Sequence, residues 1–231
     1  MTFFKKEYGI LYESMESHVR PRKVEPGSQV RKDFSALIDH PDHVVRYGEL
    51  DIFVMDGVFT PDPEISLTSS FLASEMGDVG DKAVLDVGCG TGAIALHAAE
   101  RGAVRVVAVD VHDRALQNTA MNIERLQYES DVEVRRSNLF EHVPEQFDVI
   151  VANLPISNEF WDESGGTFTT AQRFIQEYSS HLTDDGRAYL AWGSFGNVEG
   201  LRAFLAEQGV EYQEKSVERG EYTYMVFILS K

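Results

Sequence analysis

The chain has 231 residues, 43% of them hydrophobic, which is enough for one good-sized α/β core. No apolar run approaches the ~20 residues of a membrane helix, Met1 to Lys6 lacks the layout of a signal peptide, and the single cysteine excludes an intrachain disulfide or a cysteine zinc cluster, as suits a reducing cytoplasm. A net charge of −17 argues against nucleic acid as a partner, because phosphate backbones are gripped by clustered Lys and Arg.

Residues 1–43 are polar, are broken by Pro21, Pro26-Gly27 and Pro41, and read as an N-terminal arm of short helices and loops. Arg20, Arg22, Lys23, Arg31 and Lys32 lie close together there, either as a solvated face or as a patch that grips an acidic substrate or closes a site. Val44 to Met55, broken at Gly48, reads as a hairpin. The loop Gly57 to Glu64 leads into a helix over Ser66 to Met76, with Leu67, Phe71 and Leu72 on one face.

From here strands and helices alternate. Ala83 to Val87 is short, apolar and β-branched, as a buried parallel strand should be. Gly88, Gly90 and Gly92 let the chain turn sharply, and Ala93 to Glu100 has helical spacing that ends at Gly102. A second strand, Val104 to Val109, is closed by Asp110, and Asp113 reads as the N-cap of a helix to Leu126. The strands Val132 to Arg136 and Phe147 to Ala152 run into Ser137-Asn138-Leu139-Phe140 and Asn153-Leu154-Pro155-Ile156. Helices over Ala171 to Leu182 and Leu201 to Glu207 flank a turn at Asp184-Asp185-Gly186 and a strand over Ala188 to Trp192. Val210 to Val217 and Tyr222 to Leu229 alternate as an antiparallel hairpin around Arg219-Gly220.

A strand, a glycine-rich turn and a helix N-terminus make a site for a nucleotide or an anionic group, and Asp110 stands where an acid accepts hydrogen bonds from ribose hydroxyls. A nicotinamide dinucleotide and S-adenosylmethionine both fit such a unit. Three features favour S-adenosylmethionine. Asp86 can meet the ammonium of a methionine moiety and would repel a pyrophosphate; Ser137 to Phe140 offers a polar side chain and a backbone N–H to an adenine edge; and the fourth strand runs straight into Asn153.

These elements, in this order, resemble the class I S-adenosylmethionine-dependent methyltransferases, and within them the small-domain group of the HemK/PrmC glutamine methyltransferases and related rRNA amino-methyltransferases. The resemblance spans roughly residues 50–231 and implies a Rossmann-like, doubly wound sheet of seven strands with an antiparallel C-terminal hairpin, occupying residues 44–231 behind the arm. It implies cofactor contacts from Asp86, Gly88, Cys89, Gly90, Thr91, Gly92, Asp110, Val111, Asn138, Leu139 and Asn153. Pro61 and Glu64 match the group's entry loop; Ile65 stands where that group has a threonine, with Ser66 as a possible substitute hydroxyl. Cys89 is read as a small residue filling the loop, and His97 as structural.

In the Asn/Asp-Pro-Pro-Tyr/Phe families an amide or amino nitrogen donates to the Asn side chain and the next backbone carbonyl, and the aromatic residue stacks on the planar acceptor. Carried over by position, Asn153, Leu154 and Pro155 are the catalytic segment. Ile156 departs from the pattern because it has no π-face, a second argument against nucleic acid. Phe160 and Trp161 are read as a substitute apolar wall, with Glu159, Asp162 and Glu163 facing an amine-bearing substrate. The histidines show no metal-ligand spacing. The resulting expectation is a cytoplasmic N-methyltransferase acting on a small molecule or a protein side-chain amide. A non-catalytic cofactor-binding module and an NAD-dependent oxidoreductase are the alternatives.

Overall fold

A computed structural model describes residues 36–156 and 166–231. A hairpin of β1 (His43–Tyr47) and β2 (Leu50–Val54) precedes helix α1 (Thr68–Glu75). The main sheet is built from β3 (Ala83–Val87), β4 (Arg105–Asp110), β5 (Val132–Arg136), β6 (Phe147–Ala152), β7 (Leu182–Gly193), β8 (Tyr212–Arg219) and β9 (Tyr222–Ser230). Its order is β5-β4-β3-β6-β7-β9-β8, with β3 to β7 mutually parallel and β9 antiparallel to both neighbours. The seven-stranded doubly wound sheet expected from the sequence is the one observed.

Helices α1, α2 (Ala93–Glu100) and α3 (Asp113–Leu126) contribute Leu67, Phe71, Leu96 and Ile123 to the core on one face. Helices α4 (Gly166–Glu177) and α5 (Val198–Glu207) contribute Phe174, Leu201 and Leu205 to the other. Fully buried strands such as β4, with Val106, Val107, Ala108 and Val109 at 0% exposure, are what a sheet covered on both faces requires.

Three local expectations are corrected. Asp113 is the first helical residue rather than the N-cap; it pairs with Arg136, and His112 takes the cap position without a side-chain bond. A carboxylate in the first turn is still favoured there by the helix dipole. The helix expected to reach Leu182 ends at Glu177 and passes into a 3₁₀ turn, Tyr178–His181. Asp184-Asp185-Gly186 lies within β7, beside a register irregularity between Phe147 and Val149 of β6.

The β1–β2 hairpin is fastened by two asparagines of α3 that are 0% exposed. Asn122 accepts from Phe53 N–H (2.9 Å) and donates to the carbonyls of Phe53 (2.7 Å) and Thr91 (2.9 Å). Asn118 accepts from Met55 N–H (2.8 Å) and donates to Phe53 O (2.8 Å). These bonds satisfy the open edge of β2 and tie it to the glycine loop. Asn122→Ala would bury Phe53 N–H and Thr91 C=O without partners, so urea denaturation is expected to show a loss of about 2–4 kcal/mol.

Candidate active site

The sheet order reverses between β3 and β6, and the carboxyl ends of these two strands carry the glycine loop and the Asn153 segment. This switch point is where doubly wound sheets bind ligands. Gly88, Gly90 and Gly92 all have positive φ, and a Cβ on Gly92 would come within 2.7 Å of Thr119, so the loop requires glycine there. Thr119 also donates to Gly90 O (2.9 Å) and lies 3.4 Å from Cys89 Sγ. Cys89 is buried and its thiol pKa is raised by burial, so it is no nucleophile, in keeping with its reading as a filler.

Asp86 is 1% exposed. One carboxylate oxygen accepts from Ala95 N–H (3.1 Å), while the other is buried with no hydrogen-bond partner. Burial first, then the nearby Asp110, push its pKa up to about 7 against the single backbone bond. An orphaned carboxylate oxygen beside a glycine loop fits a cationic ligand group, which supports the S-adenosylmethionine ammonium at this place. Asp110 accepts from Gly90 N–H (3.1 Å) and His112 N–H (2.9 Å), which aligns its carboxylate at the end of β4 while leaving lone pairs for hydroxyl donors. Val111 beside it is exposed, an apolar surface at the rim of the site. Asn138 is partly engaged: it donates to Glu141 (2.9 Å) and accepts from Arg173 at 3.4 Å. Buried Leu139 has positive φ, and its carbonyl accepts from Ser137 Oγ (2.7 Å).

On the acceptor side, Asn153 donates to Ser69 Oγ (2.8 Å) and, at 3.4 Å, to Thr68 Oγ1, both at the start of α1. With its NH₂ so engaged, the amide oxygen on the opposite side of the planar group is left for a donor. Ser66 Oγ lies 3.1 Å from Thr68 Oγ1 and extends this hydroxyl chain. Tyr47 of β1 donates to Ser69 O (2.8 Å), and Arg219 of β8 donates to the Pro63 and Glu64 carbonyls, so both hairpins hold the entry loop and α1 against Asn153. Leu154 is 5% exposed and reaches Gly88, where an added Cβ would sit 3.2 Å from its Cδ2. This contact joins the acceptor segment to the glycine loop.

A small open cavity of about 70 Å³ is lined by Thr68, Asn153, Leu154, Pro155, Ile156 and two rings, Phe59 and Phe195. Neither ring was singled out from the sequence. Phe59 lies within the loop read as a helix lead-in and matched to the entry loop through Pro61 and Glu64, and Phe195 follows a strand; the available signal is the glycine pair around it, Gly193 and Gly196. Phe160, Trp161, Glu159, Asp162 and Glu163 lie outside the described residues, as do Arg20 to Lys32. Among the described residues no group of His, Cys, Asp and Glu is arranged to hold a metal ion, and no helix is long and apolar enough to cross a membrane.

The methyltransferase small domain family model matches residues 49–223. The chain belongs to this family. Membership makes this an S-adenosylmethionine-dependent methyltransferase domain of class I and sets aside the NAD-dependent oxidoreductase. Ribosomal RNA small subunit methyltransferase C of Psychromonas ingrahamii is 30% identical over 169 residues, covering 73% of this chain and 46% of that protein. Ribosomal protein L11 methyltransferase of Oceanobacillus iheyensis is 38% identical over 114 residues, 45% of this chain and 36% of that protein. The T. thermophilus 16S rRNA N2 G1207 methyltransferase, solved with AdoMet and guanosine, superposes with a TM-score of 0.63 at 23% identity, over 83% of this chain and 50% of that one, a likeness of fold. This chain spans less than half the length of the two sequence relatives.

Two expectations are corrected by these findings. The relatives are rRNA and L11 methyltransferases and not specifically of the HemK/PrmC group. The argument against nucleic acid does not hold, since an rRNA methyltransferase is similar over most of the chain. Its physical weakness is plain in the structure. Net charge sums the whole surface, whereas a base is held locally, and two rings, Phe59 and Phe195, line the cavity beside Ile156.

Proposed function

We propose that this domain transfers the methyl group of S-adenosylmethionine to a nitrogen of a planar acceptor, a base of ribosomal RNA. The observation that carries this reading is the Asn153 amide, whose NH₂ is tied to Ser69 and Thr68, beside a cavity walled by Phe59 and Phe195. An exocyclic amine donates to the Asn153 oxygen and to the Leu154 carbonyl, which points its lone pair along one direction; the two rings hold its plane and exclude water. When bound, S-adenosylmethionine would supply an electrophilic sulfonium methyl, its sulfur leaving as the neutral thioether as the nitrogen gains the methyl and loses a proton to solvent at the open side of the cavity. Asp86 would hold the cofactor's ammonium, Asp110 its ribose hydroxyls, and the N–H of Leu139 with Asn138 an adenine edge. The arm of residues 1–43 carries the phosphate contacts, through Arg20, Arg22, Lys23, Arg31 and Lys32. A ribosomal acceptor places the reaction in the cytoplasm.

An amino or amide nitrogen of a ribosomal protein is the second reading, favoured by the L11 methyltransferase relatives. Methyl-labelled cofactor, incubated with protein-free small-subunit rRNA, with ribosomal proteins and with a small-molecule extract, separates these. Label is expected in RNA. Label in protein or in the small-molecule fraction moves the acceptor to a protein amino or amide nitrogen or to a metabolite. No label anywhere, with S-adenosylhomocysteine still bound, leaves a non-catalytic module.

A further inference from the structure

We propose that Phe195 is the specificity-determining wall of the acceptor cavity, standing in for the aromatic ring that Asn153-Leu154-Pro155-Ile156 lacks. This rests on the N-methyl transfer reading above. Phe195 sits in a four-residue turn at the end of β7, closed by Gly196 N–H donating to Gly193 O (2.9 Å). The turn is locked to β9 by a reciprocal pair: Ser194 N–H donates to Thr223 O (2.8 Å), and Thr223 N–H to Ser194 Oγ (3.0 Å).

Both glycines are required by close approach. A Cβ on Gly193 would lie 2.3 Å from the Phe195 ring, so the ring is folded back against the Gly193 backbone. A Cβ on Gly196 would lie 2.5 Å from Ile156 Cγ2, so the turn presses directly on the residue that departs from the family pattern. Tyr222 and Tyr224 meet the ring edge-on, with centroids 5.9 and 6.0 Å away. At 4% exposure the ring belongs to the packed core and shows only a small part of its surface to the cavity, so it is preset there and costs no ordering when an acceptor enters. Ile156 and Phe195 line the same cavity, so the two side chains together set the space an acceptor can enter.

The test compares wild type, Phe195→Leu, Ile156→Phe and the double variant, with protein-free small-subunit rRNA as acceptor, guanosine as a binding probe on protein saturated with S-adenosylhomocysteine, and S-adenosylhomocysteine affinity as control. Phe195→Leu is expected to raise the acceptor KM and weaken guanosine by about 10-fold, the scale of a lost stacking contact, with S-adenosylhomocysteine affinity within about twofold. Ile156→Phe alone is expected to weaken the acceptor by crowding, and the double variant to recover most of the loss because the ring has been moved back. A merely structural Phe195 would lower the melting midpoint and cofactor affinity together and would gain nothing from a ring at 156. Where Phe195→Leu does not fold, Phe195→Met replaces it. Wild-type labelling of RNA with unchanged KM in the Phe195 variants, or no recovery in the double variant, overturns this assignment alone. No labelling or guanosine binding by wild type overturns the proposed function and the assignment with it.

Discussion

Asn153→Ala is expected to lower methyl transfer by ~10²-fold or more, about 3 kcal/mol at the transition state, while S-adenosylhomocysteine affinity stays within a few-fold. The reason is geometric. The amide is held by Ser69 and Thr68, so its oxygen is already aligned when the acceptor arrives, and that alignment acts only once both substrates are in place. Truncation to alanine also frees two hydroxyls of α1, so a melting curve must accompany the kinetics. Asn153→Asp is the sharper variant. A carboxylate still accepts from the acceptor N–H, and the Ser69 and Thr68 hydroxyls can rotate to donate to its second oxygen, so part of the activity is expected to survive. Wild-type turnover in Asn153→Ala would place the chemistry elsewhere and leave Asn153 as a link between β6 and α1.

S-adenosylhomocysteine affinity is expected to rise about 100-fold as pH is raised from about 5 to about 7 and then level off, with Asp86→Asn abolishing the dependence. Asp86 is buried with an orphaned oxygen, and its pKa is raised to about 7, so the ligand-free protein holds it protonated in acid. An ammonium pairs only with the ionised form, so each unit of pH below about 7 costs about tenfold in affinity. The sign for folding runs the other way. A carboxyl with a folded pKa above its ordinary value contributes stability that is fully present below about 3.8 and is lost as pH rises through about 7. His97, buried and lowered to about 4, opposes this, because its neutral form favours folding above about 6.5 and that contribution is lost as pH falls toward about 4. The Asp86 contribution is therefore read from the difference between wild type and Asp86→Asn, in calorimetry for binding and in melting midpoint against pH for stability. Equal pH profiles in the two proteins would remove Asp86 from the ammonium site.

The fold and the glycine loop with its two flanking carboxylates were legible in the chain itself because both are local. Short apolar runs mark the parallel strands, alternation the C-terminal hairpin and period-3.6 patterning the helices, and the glycines from 88 to 92 with Asp86 and Asp110 all sit at strand ends that follow one another in sequence. Even there, the limits of helices and strands moved, as at Asp113, where an ion pair with Arg136 replaces a cap, and at Asp184 to Gly186, which fall in β7 at the irregularity between the pairs Phe147–Leu182 and Val149–Arg187. The acceptor half belongs to the tertiary structure. Asn153 is 84 residues from Ser69, its partner in orientation, and Phe59 and Phe195 reach one cavity from opposite ends of the domain. The absent ring at Ile156 counted against a nucleobase when the segment was read alone, with Phe160 and Trp161 just downstream read as the substitute wall. The Gly193 to Gly196 turn, which packs against that residue, carries Phe195 to the wall of the same cavity, because shape in a cavity is set by whichever side chains converge there, not by those adjacent along the backbone.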